Sequence, residues 1–122
     1  MKVIGMLKRL NFFPHYKTLL EKGLKNTTIR LGVNNRYEKN DIVSITVGWS
    51  EDNSEEVGFA KIVSVAHKKI KDLSEDDLEG ESPDCSNKAV VKYALSAIYR
   101  KVVSEEDDIT IIKWEKTEEE KD

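Results

Sequence analysis

The eight residues Gly23-Leu24-Lys25-Asn26-Thr27-Thr28-Ile29-Arg30 place a lysine, two threonine hydroxyls and an arginine where an apolar helix gives way to a strand. Gly23 suits the residue after a last helical turn, where positive φ is common. Thr27, Thr28 and Ile29 are β-branched and favour a strand. Side chains alternate along a strand, so Thr28 and Arg30 share one face, with Lys25 near its edge. An ammonium, a guanidinium and a hydroxyl in one corner suit a phosphate, a nucleobase or a carbonyl. Lys25, Arg30 and Arg36 are the candidate anchors for phosphate or base, and Tyr37, in a polar loop after this stretch, is the candidate for stacking on a base.

The remaining residue types offer less. His15 and His67 have no neighbour at metal-ligand spacing, and Glu105-Glu106-Asp107-Asp108 reads as a solvated loop. Cys85 is the only cysteine, which excludes an intrachain disulfide and a thiolate cage. No metal or cofactor is expected. Trp49, Trp114, Tyr93 and Tyr99 are of a type that can stack on a base, but aromatics at strand and helix periods read more often as core.

Several elements must position this corner. Residues 3–7 read as a short strand. Phe12, Phe13, Tyr16, Leu19 and Leu20 form one helical stripe, with Pro14 in its first turn and Gly23 at its end. A strand over 26–31 follows, then a polar, turn-rich stretch from Gly32 to Asp41. Val43, Ile45, Val47 and Trp49 alternate with polar or small residues as a half-buried strand. After a loop over 51–56, residues 57–66 read as a strand antiparallel to it, and the pair implies a curved sheet or small barrel. Ser74 fits a helix N-cap, with acids in the first turn and Gly80 as the stop. Ser82-Pro83 opens a further helix whose buried stripe is Val90, Tyr93, Ala94, Ala97 and Ile98. Residues 109–114 close the fold as a strand. The order β-α-β-β-β-α-α-β is an α+β pattern.

The chain of 122 residues reads as one domain over 1–115, with 116–122 a charged, fraying tail. Charged residues make up 35%. No apolar run approaches the ~18 residues of a membrane span. With the single cysteine, this gives a reducing, cytoplasmic home and no membrane contact as the expectation, and a monomer as the expected state. Residues 1–40 carry nine Lys or Arg against two acids, whereas the rest carries eleven against twenty-one. A positive first third can form the electrostatic footprint of a nucleic-acid site, or it can simply solvate a helix face.

Gly23, Lys25 and Arg30 stand at the spacing of the G-x-K-x-x-x-x-R motif, and the chain resembles an ASCH domain of the PUA-like superfamily. An aromatic-led helix precedes the motif, Asn40-Asp41 replaces the usual Gly-Asp turn, and Leu73-Ser74-Glu75 through Glu81 matches an acidic helix entry. The resemblance covers roughly residues 9 to 115. It implies a small β-barrel of about five to six mostly antiparallel strands flanked by two to three helices, with a cleft lined by the motif. It also implies RNA or a modified nucleoside as partner. Some small members deacylate N4-acylated cytidines without a metal, using a lysine, a threonine and a glutamate, which fall here on Lys25, Thr28 and Glu81. In that role Thr28 supplies the hydroxyl and Lys25 takes its proton. Glu81 serves the leaving nitrogen, and Arg30 holds the oxyanion. A non-catalytic protein-interaction module is the remaining alternative.

Overall fold

The computed structural model describes residues 7–81 and 87–117. β1 (Lys8–Phe12) leads through a 3-10 turn, Pro14–Tyr16, into α1 (Lys17–Glu21). β2 (Thr27–Leu31), β3 (Ile42–Gly48) and β4 (Ser54–Lys69) follow. A second 3-10 turn, Ile70–Asp72, precedes α2 (Glu75–Leu78), α3 (Lys88–Tyr99) and β5 (Asp108–Thr117). The α+β class therefore holds, and from α1 onward the elements follow the predicted order. Five strands form one sheet in the order β1-β3-β4-β5-β2, with β1 parallel to β3 and the other pairings antiparallel.

The curvature comes from β4. Its first part pairs with β3 and its second with β5, and register shifts between Ile45 and Thr46 and between Ile62 and Ser64 bend it. The sheet rolls until its edge strands, β1 and β2, face each other. Arg30 on β2 donates from Nη2 to the Asn11 carbonyl on β1 at 2.8 Å. The Tyr37 hydroxyl donates to the Arg9 carbonyl at 2.5 Å.

Two apolar clusters sit on the two faces of the sheet. Leu10, Val43, Ile45, Ile62, Ile112 and Trp114 fill the inside of the roll. Ile29, Ile70, Val91, Leu95, Ile109 and Ile111 join the outer face to α3. β5 serves both by alternation, with Ile109 and Ile111 on the outer face and Ile112 and Trp114 on the inner.

Several sequence expectations shift. Phe12 ends a strand and does not start a helix, though its ring still meets Tyr16 edge-on at 6.4 Å. The predicted strand over 3–7 lies, except for Leu7, outside the described residues, and so do the helix start at Ser82-Pro83 and Cys85. The helix that is described starts at Lys88, capped by the Asn87 side chain on the Val90 N–H. Its buried residues are Val91 and Leu95, while Tyr93 is 78% exposed. Apolar residues run almost all round this helix, so its own period does not choose the face. β3 is buried on both faces because Ser44 and Thr46 spend their hydroxyls on Glu56 and Asn11. Trp49 lies beyond it and is 73% exposed. β5 runs through Lys116 and Thr117, two residues into the segment expected to fray.

Gly80 has φ +84°, and a Cβ there would lie 1.8 Å from Asn26 Oδ1. Gly23 has φ +72° with open space around it. Gly23→Ala therefore costs only the left-handed backbone penalty, about 1–2 kcal/mol. Gly80→Ala costs more than that, because the Asn26 turn must also move. Urea unfolding of the two variants checks the ranking.

Candidate functional site

A cavity of about 320 Å³ opens between the two sheet edges and α3, at the small end of the range for ligand pockets. β1 and its following turn contribute Asn11, Phe12, Phe13 and Tyr16. The β2 region contributes Lys25, Thr28, Ile29 and Arg30, and α3 contributes Ala94, Ile98 and Tyr99. Arg36, Tyr37, Glu51 and Glu81 complete much of the rest.

Lys25 and Glu81 form an ion pair in this wall, with side chains 2% and 5% exposed. Lys25 Nζ also donates to the Thr27 carbonyl at 3.0 Å. It lies 4.9 Å from the Tyr16 ring centre and 5.6 Å from that of Phe12. Local structure explains how residues 56 positions apart meet. Ser74 and Asp77 form a reciprocal capping box that opens α2. Gly80 then turns the chain with positive φ, and its carbonyl accepts the N–H groups of Asn26 at 2.8 Å and Thr27 at 3.1 Å. Thr27 Oγ1 donates to the Glu79 carbonyl at 2.6 Å. Residues 26–27 are thereby fastened to residues 79–80, which delivers Glu81 to Lys25.

Arg30 bridges to β1 and lies 5.2 Å from the Phe12 ring centre. Desolvation by burial lowers its pKa from the ordinary value, against the pull of Tyr37, Tyr99, Glu81 and Glu51. A guanidinium in protein stays protonated, so the cavity keeps a fixed cation. Thr28 shares the Arg30 face, as strand alternation requires; it is buried, and its hydroxyl makes no hydrogen bond among the described residues.

Of the other expected site residues, Arg36 and Tyr37 also line this cavity and Gly23 does not. Arg36 pairs with Glu51 through two hydrogen bonds of 3.0 and 2.9 Å, which raise the Arg36 pKa and lower that of Glu51. Tyr37 is not a loose stacking residue. It is buried in the inner cluster, its hydroxyl is held by β1, and burial raises its pKa. Gly23 ends the helical turn and does not line this cavity. Asn11, Phe13, Tyr16 and Glu51 border it although nothing in the sequence marks them as site residues, and Tyr99, one of the aromatics able to stack on a base, borders it too. They come from separate elements, so no local spacing marks them.

Four of the nine cations in the positive first third are paired with acids from later in the chain. Lys8 pairs with Asp41, Lys17 with Glu55, Lys25 with Glu81 and Arg36 with Glu51. Among the described residues, no group of three His, Cys, Asp or Glu is placed to hold a metal ion. No helix among them is long and apolar enough to cross a membrane.

Breaking a buried ion pair leaves one charge uncompensated and costs about 3–5 kcal/mol, whereas replacing both partners by apolar residues is often neutral. Lys25→Met and Glu81→Leu should each destabilise by that amount, and the double variant should recover most of the loss. Urea denaturation of the four proteins gives the coupling energy. Strictly additive losses would contradict the pairing.

Neither family models nor curated proteins match this sequence. Its structure, however, is similar to that of solved proteins. An ASCH domain from Lactobacillus crispatus JV V101 aligns over 89% of this chain and 79% of its own, at 13% identity and TM-score 0.67. A protein from Enterococcus faecalis V583 aligns over 92% and 81%, at 13% identity and TM-score 0.65. A tyrosine-to-phenylalanine variant of an ASCH protein from Zymomonas mobilis aligns over 90% and 69%, at 11% identity and TM-score 0.53. At such identities the likeness speaks for the fold, and with the rolled sheet and its edge cleft it leads to one conclusion: the chain has the fold of solved ASCH-domain proteins.

Proposed function

We propose that the cleft between β1 and β2 binds a modified nucleoside, free or as one exposed nucleotide of an RNA. The observation that carries this reading is a cavity of about 320 Å³ that combines a buried Lys25–Glu81 pair, the Arg30 cation and the rings of Phe12, Tyr16 and Tyr99. Such a wall stacks on a planar base and offers charge-assisted hydrogen bonds to its edge. Four cations of the first third, Lys8, Lys17, Lys25 and Arg36, are already held by acids, which weighs against a long phosphate-tracking surface and favours recognition of one nucleotide at a time.

The contact between Lys25 and Glu81, with Thr28 in the same wall, also supports hydrolysis of an N4-acylated cytidine. In that reaction Lys25 passes a proton to Glu81, and the resulting amine takes the proton of Thr28 Oγ1. The oxygen attacks the acyl carbon, and Arg30 faces the oxyanion. The C–N4 bond breaks as Glu81 protonates the nitrogen, and water then releases the carboxylic acid from Thr28.

Incubation with N4-acetylcytidine, followed by chromatography and calorimetric titration, separates these readings. Binding without turnover supports the module, and release of cytidine and acetate supports the hydrolase. Thr28→Ala and Lys25→Ala should each then lower kcat/KM by at least about 100-fold. No binding of N4-acetylcytidine or of a short RNA carrying it would refute both.

A further inference from the structure

Along the free edge of β2, one described residue leaves both its backbone groups without a hydrogen bond, and it lies at the cavity. In an antiparallel pair, alternate residues turn both backbone groups toward the partner strand. The bonds from Gly32 N–H to the Asp108 carbonyl, 2.7 Å, and from Trp114 N–H to the Asn26 carbonyl, 3.0 Å, fix the phase. With Thr28 opposite Ile112 and Arg30 opposite Thr110, the even-numbered residues of β2 face β5. Thr27, Ile29 and Leu31 turn their N–H and C=O groups the other way.

Thr27 is satisfied there: its N–H reaches the Gly80 carbonyl and its C=O accepts from Lys25. The Leu31 N–H reaches the Tyr99 hydroxyl at 3.3 Å. Between them, the N–H and C=O of Ile29 make no hydrogen bond among the described residues, although Ile29 is only 8% exposed and borders the cavity. Buried backbone groups are rarely left without a partner.

We propose that this donor–acceptor pair reads the edge of the bound base, an inference that rests on the nucleoside reading above. The width of the gap decides the class of occupant. An added peptide strand bonds to alternate residues along an edge. Here Lys25 and Gly80 occupy one neighbour and Tyr99 caps the N–H of the other, so only Ile29 has both a donor and an acceptor open. A single residue pairs with a short planar group that carries one donor beside one acceptor. The Watson–Crick edge of a pyrimidine has that form: N3–H beside O4 in uracil, and N3 beside the 4-amino group in cytosine. Ile29 N–H meets the acceptor and Ile29 C=O meets the donor. Methylation at N3 removes one of the two bonds and places a methyl group against the strand.

The test uses the intact 15N-labelled protein, titrated with cytidine, uridine and 3-methyluridine. The expected result is a downfield shift of the Ile29 amide proton on binding, with 3-methyluridine bound at least about fivefold more weakly than uridine. Shifts confined to other cavity residues, with 3-methyluridine bound as well as uridine, would overturn the role of Ile29 while leaving the nucleoside site intact. Cavity resonances that respond to none of these nucleosides and not to N4-acetylcytidine would overturn the nucleoside site and this inference together.

Discussion

A side chain, not a ladder of backbone hydrogen bonds, joins the two edges of this sheet. Arg30 reaches across from β2 and donates to the Asn11 carbonyl on β1, with its guanidinium beside the Phe12 ring. A continuous ladder would bring the strands to about 4.8 Å and leave no room for a cavity. The bridging arginine holds them farther apart, and the space between becomes the cleft. Full closure would remove both exposed edges, the usual answer to edge-strand aggregation. Here α3, Tyr37 and the arginine cover the seam instead, and a polar interior pocket survives.

That pocket contains groups a stable core would avoid. Lys25 and Glu81 are almost wholly buried, and desolvating two charges offsets most of their attraction. The arrangement holds because the surrounding backbone is over-determined. Gly80 accepts two N–H groups from the start of β2, Thr27 donates to Glu79, and Lys113 donates to the carbonyls of both Asp76 and Glu79. A short helix with little propensity of its own is thus fixed against the sheet. Its fixed position keeps a carboxylate beside an ammonium at the cavity wall, ready for a polar ligand.

Much of this was legible in the sequence, and the limits are physical. Gly23, Asn40 and Gly80 all have the positive φ that their turn contexts require. Thr28 and Arg30 share a face because strand alternation leaves no other choice, and Ser74 caps α2 because its hydroxyl and the first-turn acids demand it. Errors fell where tertiary contacts choose among equal local options. The apolar residues of α3 permit several buried faces, and the seat offered by β2 and Ile70 selects Val91 and Leu95. Tyr37 sits in a polar stretch, yet the open β1 edge offers a carbonyl and the inner cluster a place for its ring. The bond from Arg30 to Asn11 spans two elements whose approach follows from the bend of β4, a property of the whole sheet.

A ligand bound in this protein should sit in the opening between β1 and β2. A crystal structure of the protein saturated with N4-acetylcytidine tests it most directly. The expected result is density for the base between the two strand edges, within hydrogen-bonding reach of the Lys25–Glu81 pair, with Arg30 still on the β1 carbonyl. A nucleoside seated elsewhere, for instance on the exposed face of α3 around Tyr93, with the cleft unchanged, would contradict it.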